Sequence, residues 1–469
     1  FPDAIASANR ALTFDPENSL AIAYQCVAYT SLGENETALD KCNDALRVNG
    51  NWGSENPALA WFYRGEILAQ AQQYELALVA YERTLLLEPE NSLVLTHQCK
   101  AYGALERSEE ALDSCESALA IDQNWGESSP AHAWTYQGQA HTQLSEYDQA
   151  IFAYDQAISL DAKNALTWVA QGQVLEALRR DQEALVSYDQ AVAIKADYAL
   201  ALLGQCTLLN RLGSYEPALA ACDAAIDGDG DWGNQTLAKA WNERSISLTG
   251  TQHYEEALAS INRAVGIQPD YVAAHNHRST IFWYLNRYPE ALAANQQALY
   301  LDETYAPAWF TRGLIFRATG EYGHALATYN QALALNPFND WGWTNRSLVL
   351  WQLEQYEESV ESAERAIVLN SDSVQAWYNK GVALSALGEY EGAIATYDNV
   401  LTLDATHDNA LTGRGIAWFH LENYASAIAD LEAAIALNPD NSLAQDTLTV
   451  LAEAQPVESL SVPPPPPPF

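Results

Sequence analysis

The stretch Ala306–Asn339 reads APAWFTRGLIFRATGEYGHALATYNQALALNPFN, and its spacing predicts two short helices joined by a tight turn. Residues that share one face of the first helix, at i, i+4 and i+7, are Trp309, Gly313 and Phe316. The same spacing returns on the second helix at Ala325, Tyr329 and Ala332. The stretch therefore predicts a helical hairpin.

The ends of both helices and their close approach also follow from this stretch. Gly320 breaks the first helix, and Pro337 prevents the second from continuing. Small residues face large ones, so the helices can approach closely at Gly313 and Ala325 while Tyr329 fills the adjacent gap. One such hairpin cannot bury both of its faces, so it needs another hairpin on each side.

The pattern returns along nearly the whole chain. Twelve copies cover residues 19–441; nine are 34 residues long and three are 39. They begin at Ser19, Ala58, Ser92, Ala131, Ala165, Ala199, Ala238, Val272, Ala306, Asp340, Val374 and Asp408. A length of 469 residues would suggest several globular domains, but the repeat period predicts a solenoid without a single core.

This spacing resembles the tetratricopeptide repeat (TPR), in which positions 4, 8, 11, 20, 24, 27 and 32 carry the pattern. In the quoted stretch those positions hold Trp309, Gly313, Phe316, Ala325, Tyr329, Ala332 and Pro337. The resemblance implies an all-α, right-handed superhelical solenoid of about twelve TPR hairpins, covering residues 19–441. One departure is systematic, because position 7, often Leu in the family, is Gln or basic in every copy.

Three further segments are expected outside the twelve copies. Residues 1–18 match only the second helix of a repeat, so the face that a first helix would cover is either exposed or covered by another segment. Residues 442–454 are predicted to form a capping helix. Residues 455–469 read QPVESLSVPPPPPPF, and six consecutive prolines impose a polyproline II rod. Because the chain begins at Phe1 and contains no Met, we expect a processed or truncated product.

Composition excludes several classes of function. The net charge of −38 repels phosphate backbones and anionic lipid, so neither a nucleic-acid nor a membrane-surface partner is expected. Such a field favours cations or basic proteins. The sequence contains no HExxH motif and no glycine-rich phosphate loop, and its nine histidines form no catalytic pattern. It predicts a non-enzymatic protein without a cofactor.

The six cysteines form three pairs with the same spacing. The pairs are Cys26 with Cys42, Cys99 with Cys115, and Cys206 with Cys222. Each pair is sixteen residues apart, occupies positions 8 and 24, and lies in a 39-residue repeat. Elsewhere these positions hold Gly with Tyr, or Ser with a smaller partner, so the two positions are expected to touch across the hairpin. Three disulfides in an oxidising compartment are predicted; the alternative is that Cys serves as a compact buried hydrophobe.

The three 39-residue repeats also share an insertion that ends in Trp-Gly. In the last of these three insertions, Asp227, Asp229 and Asp231 imitate the start of an EF-hand calcium loop. However, Trp232 stands where that loop needs Gly, and Ala238 where it needs a bidentate Glu. The alternative is a turn that lengthens the hairpin and tucks a Trp between its neighbours.

Two surfaces are candidates for binding. In a TPR array the concave surface is lined by first-helix positions such as 2, 5, 6, 9 and 12. Candidate peptide-binding residues at positions 5 and 6 are Tyr24, Phe62, Tyr63, Tyr136, Asn242, Asn276, Phe310, Tyr378 and Asn379. Aromatic rings and amides suit an extended or polyproline peptide, and they equally suit packing between repeats. The basic residues at position 7 are expected to pair with carboxylates on the adjoining second helix, such as Asp398 and Glu364.

Two functions from different classes follow. In the first, the protein is an extracellular or periplasmic structural scaffold that self-associates end to end into a fibre. The residues expected to make that contact are Phe1, Pro463, Pro464, Pro465, Pro466, Pro467, Pro468 and Phe469. In the second, it is an adaptor, periplasmic or cytoplasmic, that grips a partner's peptide in its groove. Glycans would be added only to a secreted protein, at the sequons of Asn35, Asn234 and Asn345.

Overall fold

The computed structural model describes residues 1–53, 55–126, 128–233 and 235–453. It divides into two compact units, the first spanning Phe1–Thr236 and the second beginning at Leu237. Within each unit, consecutive helices pack against each other, and no strand occurs in the described ranges. The predicted all-α solenoid of helix hairpins is confirmed.

Thirteen helices lie in the described part of the first unit. They are α1 (Pro2–Phe14), α2 (Ser19–Ser31), α3 (Asn35–Val48), α4 (Ala58–Gln70), α5 (Tyr74–Leu87), α6 (Ser92–Ala104), α7 (Ser108–Ile121), α8 (Pro130–Gln143), α9 (Tyr147–Leu160), α10 (Ala165–Ala177), α11 (Asp181–Ile194), α12 (Ala199–Arg211) and α13 (Tyr215–Ile226). Helices α2 to α13 form six hairpins. Helix α1 packs against α2 as the second helix of a hairpin would, through Ala8 and Leu12.

The described part of the second unit also contains thirteen helices. They are α14 (Leu237–Gly250), α15 (Tyr254–Ile267), α16 (Val272–Tyr284), α17 (Tyr288–Leu301), α18 (Ala306–Ala318), α19 (Tyr322–Leu335), α20 (Asp340–Gln352), α21 (Tyr356–Leu369), α22 (Val374–Ala386), α23 (Tyr390–Leu403), α24 (Asp408–His420), α25 (Tyr424–Leu437) and α26 (Ser442–Glu453). Helices α14 to α25 form six hairpins. Helix α26 covers the last of them, with Leu448 and Leu451 against Leu431.

The turn inside each hairpin has one backbone conformation. Position 15 has a positive φ in all twelve hairpins, at Gly33, Gln72, Glu106, Ser145, Arg179, Gly213, Gln252, Asn286, Gly320, Glu354, Gly388 and Glu422. At Gly320, with φ +77°, the next amide, that of Glu321, donates to the carbonyl of Phe316 at 2.8 Å. This bond closes the end of α18, so Gly320 breaks the helix as the sequence predicted.

Positions 8 and 24 meet across the hairpin, as the paired cysteines indicated. A Cβ added to Gly313 would lie 2.6 Å from the ring of Tyr329, and the ring of Tyr81 would stand 2.4 Å from a Cβ on Gly65. Both rings are fully buried. The tyrosine ring therefore occupies the space that a side chain at position 8 would need, which fixes Gly as its partner.

The insertions of the 39-residue repeats fold back along the first helix of the same hairpin. In the first insertion, Asn49 takes a left-handed conformation with φ 47°, and its side chain accepts a hydrogen bond from the indole of Trp52 at 3.0 Å. Trp52 is buried against Ile22 and Ala23 of α2. The second insertion repeats this contact between Trp125 and Asp122 at 2.8 Å.

Membrane-spanning helices were sought among the described residues, and none of the helices there is both long and apolar enough to cross a bilayer.

Candidate functional site

Aromatic side chains converge on a line of cavities along the first helices of the first unit. A cavity of about 310 Å³ is lined by Tyr24, Phe62 and Tyr63, from α2 and α4. The next, about 260 Å³, shares Phe62 and is lined by His97 and Tyr136 from α6 and α8. We call the surface formed by Tyr24, Phe62, Tyr63, His97 and Tyr136 the aromatic groove.

The groove continues past Tyr136 into a larger cavity of about 490 Å³. Its lining includes Lys100, Gln139 and Gln173. These three residues occupy position 9 of successive repeats, one of the concave positions, although the sequence analysis singled out only positions 5 and 6. The repeat register therefore contained the signal for them, and also for His132 at position 2, which lines the middle cavity.

The rings of the groove are held by one another. Phe62 packs edge-on against Tyr63, with ring centroids 5.3 Å apart, and against His97 at 5.4 Å. Tyr24 is about half exposed, whereas Phe62, Tyr63 and Tyr136 are partly buried. Partly buried rings with fixed neighbours present an apolar face to solvent and lose little freedom when a ligand covers them.

A polar cluster lies beneath these rings. Glu66 accepts a hydrogen bond from the hydroxyl of Tyr81 at 2.5 Å and contacts Nδ1 of His97 at 2.5 Å. Burial by itself would raise the pKa of Glu66, but the hydrogen bond and charge of His97 and the hydroxyl of Tyr81 together lower it. Glu66 is therefore an ionised anchor that orients the imidazole of His97.

The other candidate groove residues lie in the second unit, where most of them are buried. Those inaccessible to a partner are Asn242, Phe310, Tyr378 and Asn379. Asn379 donates to the carbonyl of Thr344 at 3.0 Å, and Tyr378 stacks on His407 at 4.9 Å. For these four the peptide-binding prediction is wrong, because their side chains are buried. Asn276 is half-buried and stays a candidate.

The three cysteine pairs are joined as disulfides. Their Cα atoms lie 5.2, 5.4 and 5.2 Å apart, within the range that an unstrained bridge requires. All six side chains are buried, and all belong to the first unit. Cys99 also lines the cavity of about 490 Å³, so one bridge lies at that end of the groove.

Lys380 and Arg414 at position 7 pair with second-helix carboxylates, as predicted for Glu364 and Asp398, whereas Arg312 and Arg346 contact amide and hydroxyl groups instead. Lys380 lies 2.9 Å from Glu364, and Arg414 bridges Asp398 and the buried Asp430, each at 2.6 Å. These hydrogen bonds raise the pKa of Arg414. A contrasting pair, Arg47 with Asp44 on α3, is largely exposed. These basic side chains therefore contribute contacts between helices rather than an anion-binding surface.

The two neighbouring histidines of α16 contact different partners. Nε2 of His275 lies 2.9 Å from the carbonyl oxygen of Pro269. The ring nitrogens of His277 lie 3.3 Å from the hydroxyls of Ser245 and Thr249. Burial lowers the pKa of His277 to about 4, so it is neutral at pH 7.

The calcium candidates serve as turn and cap residues. Asp229 pairs with Lys195 and accepts hydrogen bonds from the amides of Ala199 at 3.0 Å and Asp231 at 2.9 Å. Asp231 in turn accepts from the amide of Gly233. No group of three or more acidic, His or Cys side chains converges on a point in the part of the chain that the structure describes. Asp227 is the C-cap of α13, so the three aspartates do not form a cation site.

The sequons differ in accessibility. Asn345 lies inside α20, is buried, and donates to the carbonyl of Trp341 at 2.9 Å, so its prediction as a glycan acceptor is wrong. Asn35 is half-buried in the first turn of α3 and donates to Gln70 at 3.3 Å. Asn234 lies outside the described residues.

The candidates for self-association fall in two places. Phe1 is exposed, and Phe14 at the other end of α1 is almost fully exposed. The proline segment with Phe469 lies outside the described residues.

Two units built only from helix hairpins, each burying its faces against its neighbours, define a helical-repeat protein. Family models described as tetratricopeptide or TPR repeats match both units and together cover more than half of the chain. The matched residues are 58–91, 131–164, 243–306, 313–354, 344–408 and 409–441. The chain belongs to the tetratricopeptide repeat family.

Similar proteins match over limited parts of their length. A DnaJ homolog subfamily C member 7 homolog of Schizosaccharomyces pombe is 24% identical over 169 residues, 34% of this chain and 34% of that protein. Its namesake in Dictyostelium discoideum is 29% identical over 99 residues, 20% of this chain and 17% of that protein. The chain thus spans about a third or less of the curated relatives it matches.

Among solved structures, a chain of the APC/C hetero-tetramer Cut9–Hcn1 is similar over nearly the full length. The match covers 95% of this chain and 98% of that chain, with a TM-score of 0.52 and 15% identity. At that identity the likeness establishes a shared fold.

Proposed function

We propose that this protein is a scaffold without catalytic activity that binds an extended peptide of a protein partner in the aromatic groove. The observation that carries the proposal is the convergence of four residues chosen from sequence alone. Tyr24, Phe62, Tyr63 and Tyr136 come from three different hairpins, yet they line two adjoining cavities. Such a line suits a ligand that runs from one repeat to the next.

The chemistry of the groove fits a peptide better than a compact small molecule. The cavities are open to solvent and follow successive first helices, so a ligand must be long to contact them all. Aromatic rings bind the side chains of an extended peptide, and amides such as Gln139 and Gln173 can bind its backbone. Ring contacts of this kind carry most of the affinity in many peptide complexes.

Selection from a displayed library of random peptides tests this function. Peptides that bind the full chain should bind at least ten-fold more weakly to Tyr136→Ala, because the ring links two of the three cavities. Tyr300→Ala is the control, since Tyr300 is an exposed ring on α17 of the second unit and lies outside the groove. If the selected peptides bind Tyr136→Ala as tightly as the wild type, their binding site lies elsewhere.

End-to-end self-association into an extracytoplasmic fibre is the second candidate. Two exposed phenylalanines flank α1, and three disulfides suit a protein that folds outside the cytoplasm. Head-to-tail contacts that do not close generate filaments. Glycans remain possible for a secreted form only at Asn35 or Asn234. Free thiols in protein isolated from its native source would instead favour a cytoplasmic adaptor.

Light scattering over a range of concentrations tests the fibre. Association that weakens in the double variant Phe1→Ser/Phe14→Ser would support contacts through α1. A monomer at every concentration would exclude the fibre while leaving peptide binding untouched.

A further inference from the structure

The length and the rings of the aromatic groove suit one particular kind of peptide. Helices α4, α6 and α8, which carry Phe62, His97 and Tyr136, contact one another in sequence. The rings of Phe62 and His97 lie 5.4 Å apart, and Tyr136 lines the same cavity of about 260 Å³ as both of them. A polyproline II helix rises about 3.1 Å per residue, so six prolines extend over about 19 Å and are long enough to contact all three rings.

The chain itself contains such a segment. Residues 463–468 are six prolines, flanked by Val462 and Phe469. Proline rods dock into aromatic-lined grooves because the rigid backbone loses little entropy and its apolar rings stack on aromatic faces. The groove is ordered in the same sense, since Glu66 fixes His97 and Phe62 packs against both His97 and Tyr63. A groove whose rings are held in place loses little freedom on binding.

Charge favours this segment over every other part of a second copy. The chain carries a net charge of −38, so two copies repel each other over most of their surfaces. Residues 459–469 contain no charged side chain, whereas Glu458 precedes them. Glu55 and Glu88 line the cavity formed by Tyr24, Phe62 and Tyr63. An uncharged rod can therefore enter where an acidic helix would be repelled.

We infer that the aromatic groove of one copy binds the segment Val462–Phe469 of another copy. This inference rests on the proposed function, and it names the peptide that the groove takes. The contact joins two different surfaces of the same chain, so it is heterologous and leaves a free groove at one end and a free rod at the other. Repetition of the contact builds an open filament.

The test combines a peptide and three full-length variants. The peptide covers residues 459–469 and carries a fluorescent label. In the tail variant, Pro464→Gly, Pro466→Gly and Pro468→Gly remove the rigid rod. The groove variant is Tyr136→Ala, with Tyr136→Leu as a second version that keeps apolar bulk in the fold. Tyr300→Ala is the control, and circular dichroism checks the helix content of each variant.

Wild-type protein and Tyr300→Ala should show a mass that rises with concentration in sedimentation equilibrium. The tail and groove variants should remain monomeric. The labelled peptide should bind the tail variant, and unlabelled peptide should dissociate wild-type assemblies. Its affinity should fall at least ten-fold in Tyr136→Ala and Tyr136→Leu. Affinity should also change less than two-fold between low and high salt, because rings rather than charges hold the rod.

Several outcomes would overturn the inference, and they differ from a failure of the proposed function. If library peptides bind the groove but the labelled peptide does not, peptide binding stands and the proline segment is not the ligand. A basic peptide that binds the groove and displaces the proline peptide only at low salt would identify a partner of different class. Groove-dependent peptide binding by a chain that stays monomeric at every concentration would mean docking within one copy. Absence of any groove-dependent peptide would remove both proposals.

Discussion

Reduction of the three disulfides should destabilise the first unit and leave the second unchanged. Each bridge joins residues sixteen apart, and closing a loop of that length contributes about 3 kcal/mol in the chain-entropy model. Opening one bridge therefore increases the population of the locally open hairpin by roughly 100-fold, since each 1.4 kcal/mol is a factor of ten. The second unit, from Leu237 onward, contains no cysteine and provides an internal control.

Hydrogen exchange measured by mass spectrometry reads this effect helix by helix. After treatment with a phosphine reductant, amides of α2 with α3, α6 with α7, and α12 with α13 should exchange about 100-fold faster. The effect should decrease with distance along the array, because each repeat contacts only its neighbours. Helices α20 to α25 should exchange at the same rate in both states.

Three results would refute this reasoning. Equal exchange rates with and without reductant would mean that the bridges contribute nothing beyond the packing of two buried cysteines. Alkylation of all six cysteines without reductant, in protein from its native source, would show that the bridges do not form there. Acceleration of both units to the same extent would show that the chain unfolds as one cooperative body.

Three further predictions use matched or internal controls. Arg414→Met should destabilise the fold by about 3 kcal/mol in urea unfolding, because it leaves the buried carboxylate of Asp430 unpaired. Arg47→Met, at an exposed ion pair, should cost under about 0.5 kcal/mol. Equal effects of the two substitutions would contradict this prediction. Because the pKa of His277 is lowered from 6.5 to about 4, the unfolded state binds the extra proton, and stability falls as pH drops through that window by up to about 3 kcal/mol. His277→Gln should reduce the difference in the free energy of unfolding between pH 7 and pH 4.5 by that amount. An unchanged pH dependence would show that His277 does not cause it. Gly320→Ala should cost about 1 kcal/mol through its positive φ alone, whereas Gly323→Ala, which also has open space around it but lies in α19, should not destabilise the protein; calorimetry that ranks them oppositely would refute the turn argument.

Exposure at equivalent repeat positions could not be derived from the sequence. Phe62 and Phe310 both occupy position 5 of a first helix, yet Phe62 lines the groove and Phe310 is buried. The difference lies in the following repeat. Gly342 has no side chain, so α20 closes on the ring of Phe310, where an added Cβ would come within 2.3 Å. Val94 stands at the corresponding position after Phe62, and there the ring stays at the surface.

The sequence by itself determined the hairpin. Spacing of three and four residues defined the helix faces, Gly320 ended the first helix of the quoted stretch, and the small-with-large pairing located the contact between Gly313 and Tyr329. These are local interactions, repeated twelve times, so a pattern in one copy is tested by the others. Only the tertiary structure decided which rings of the repeated positions reach solvent, because that depends on the bulk of residues one repeat away. The aromatic groove exists in the first unit for that reason, and the repeat pattern alone gives no sign of where it ends.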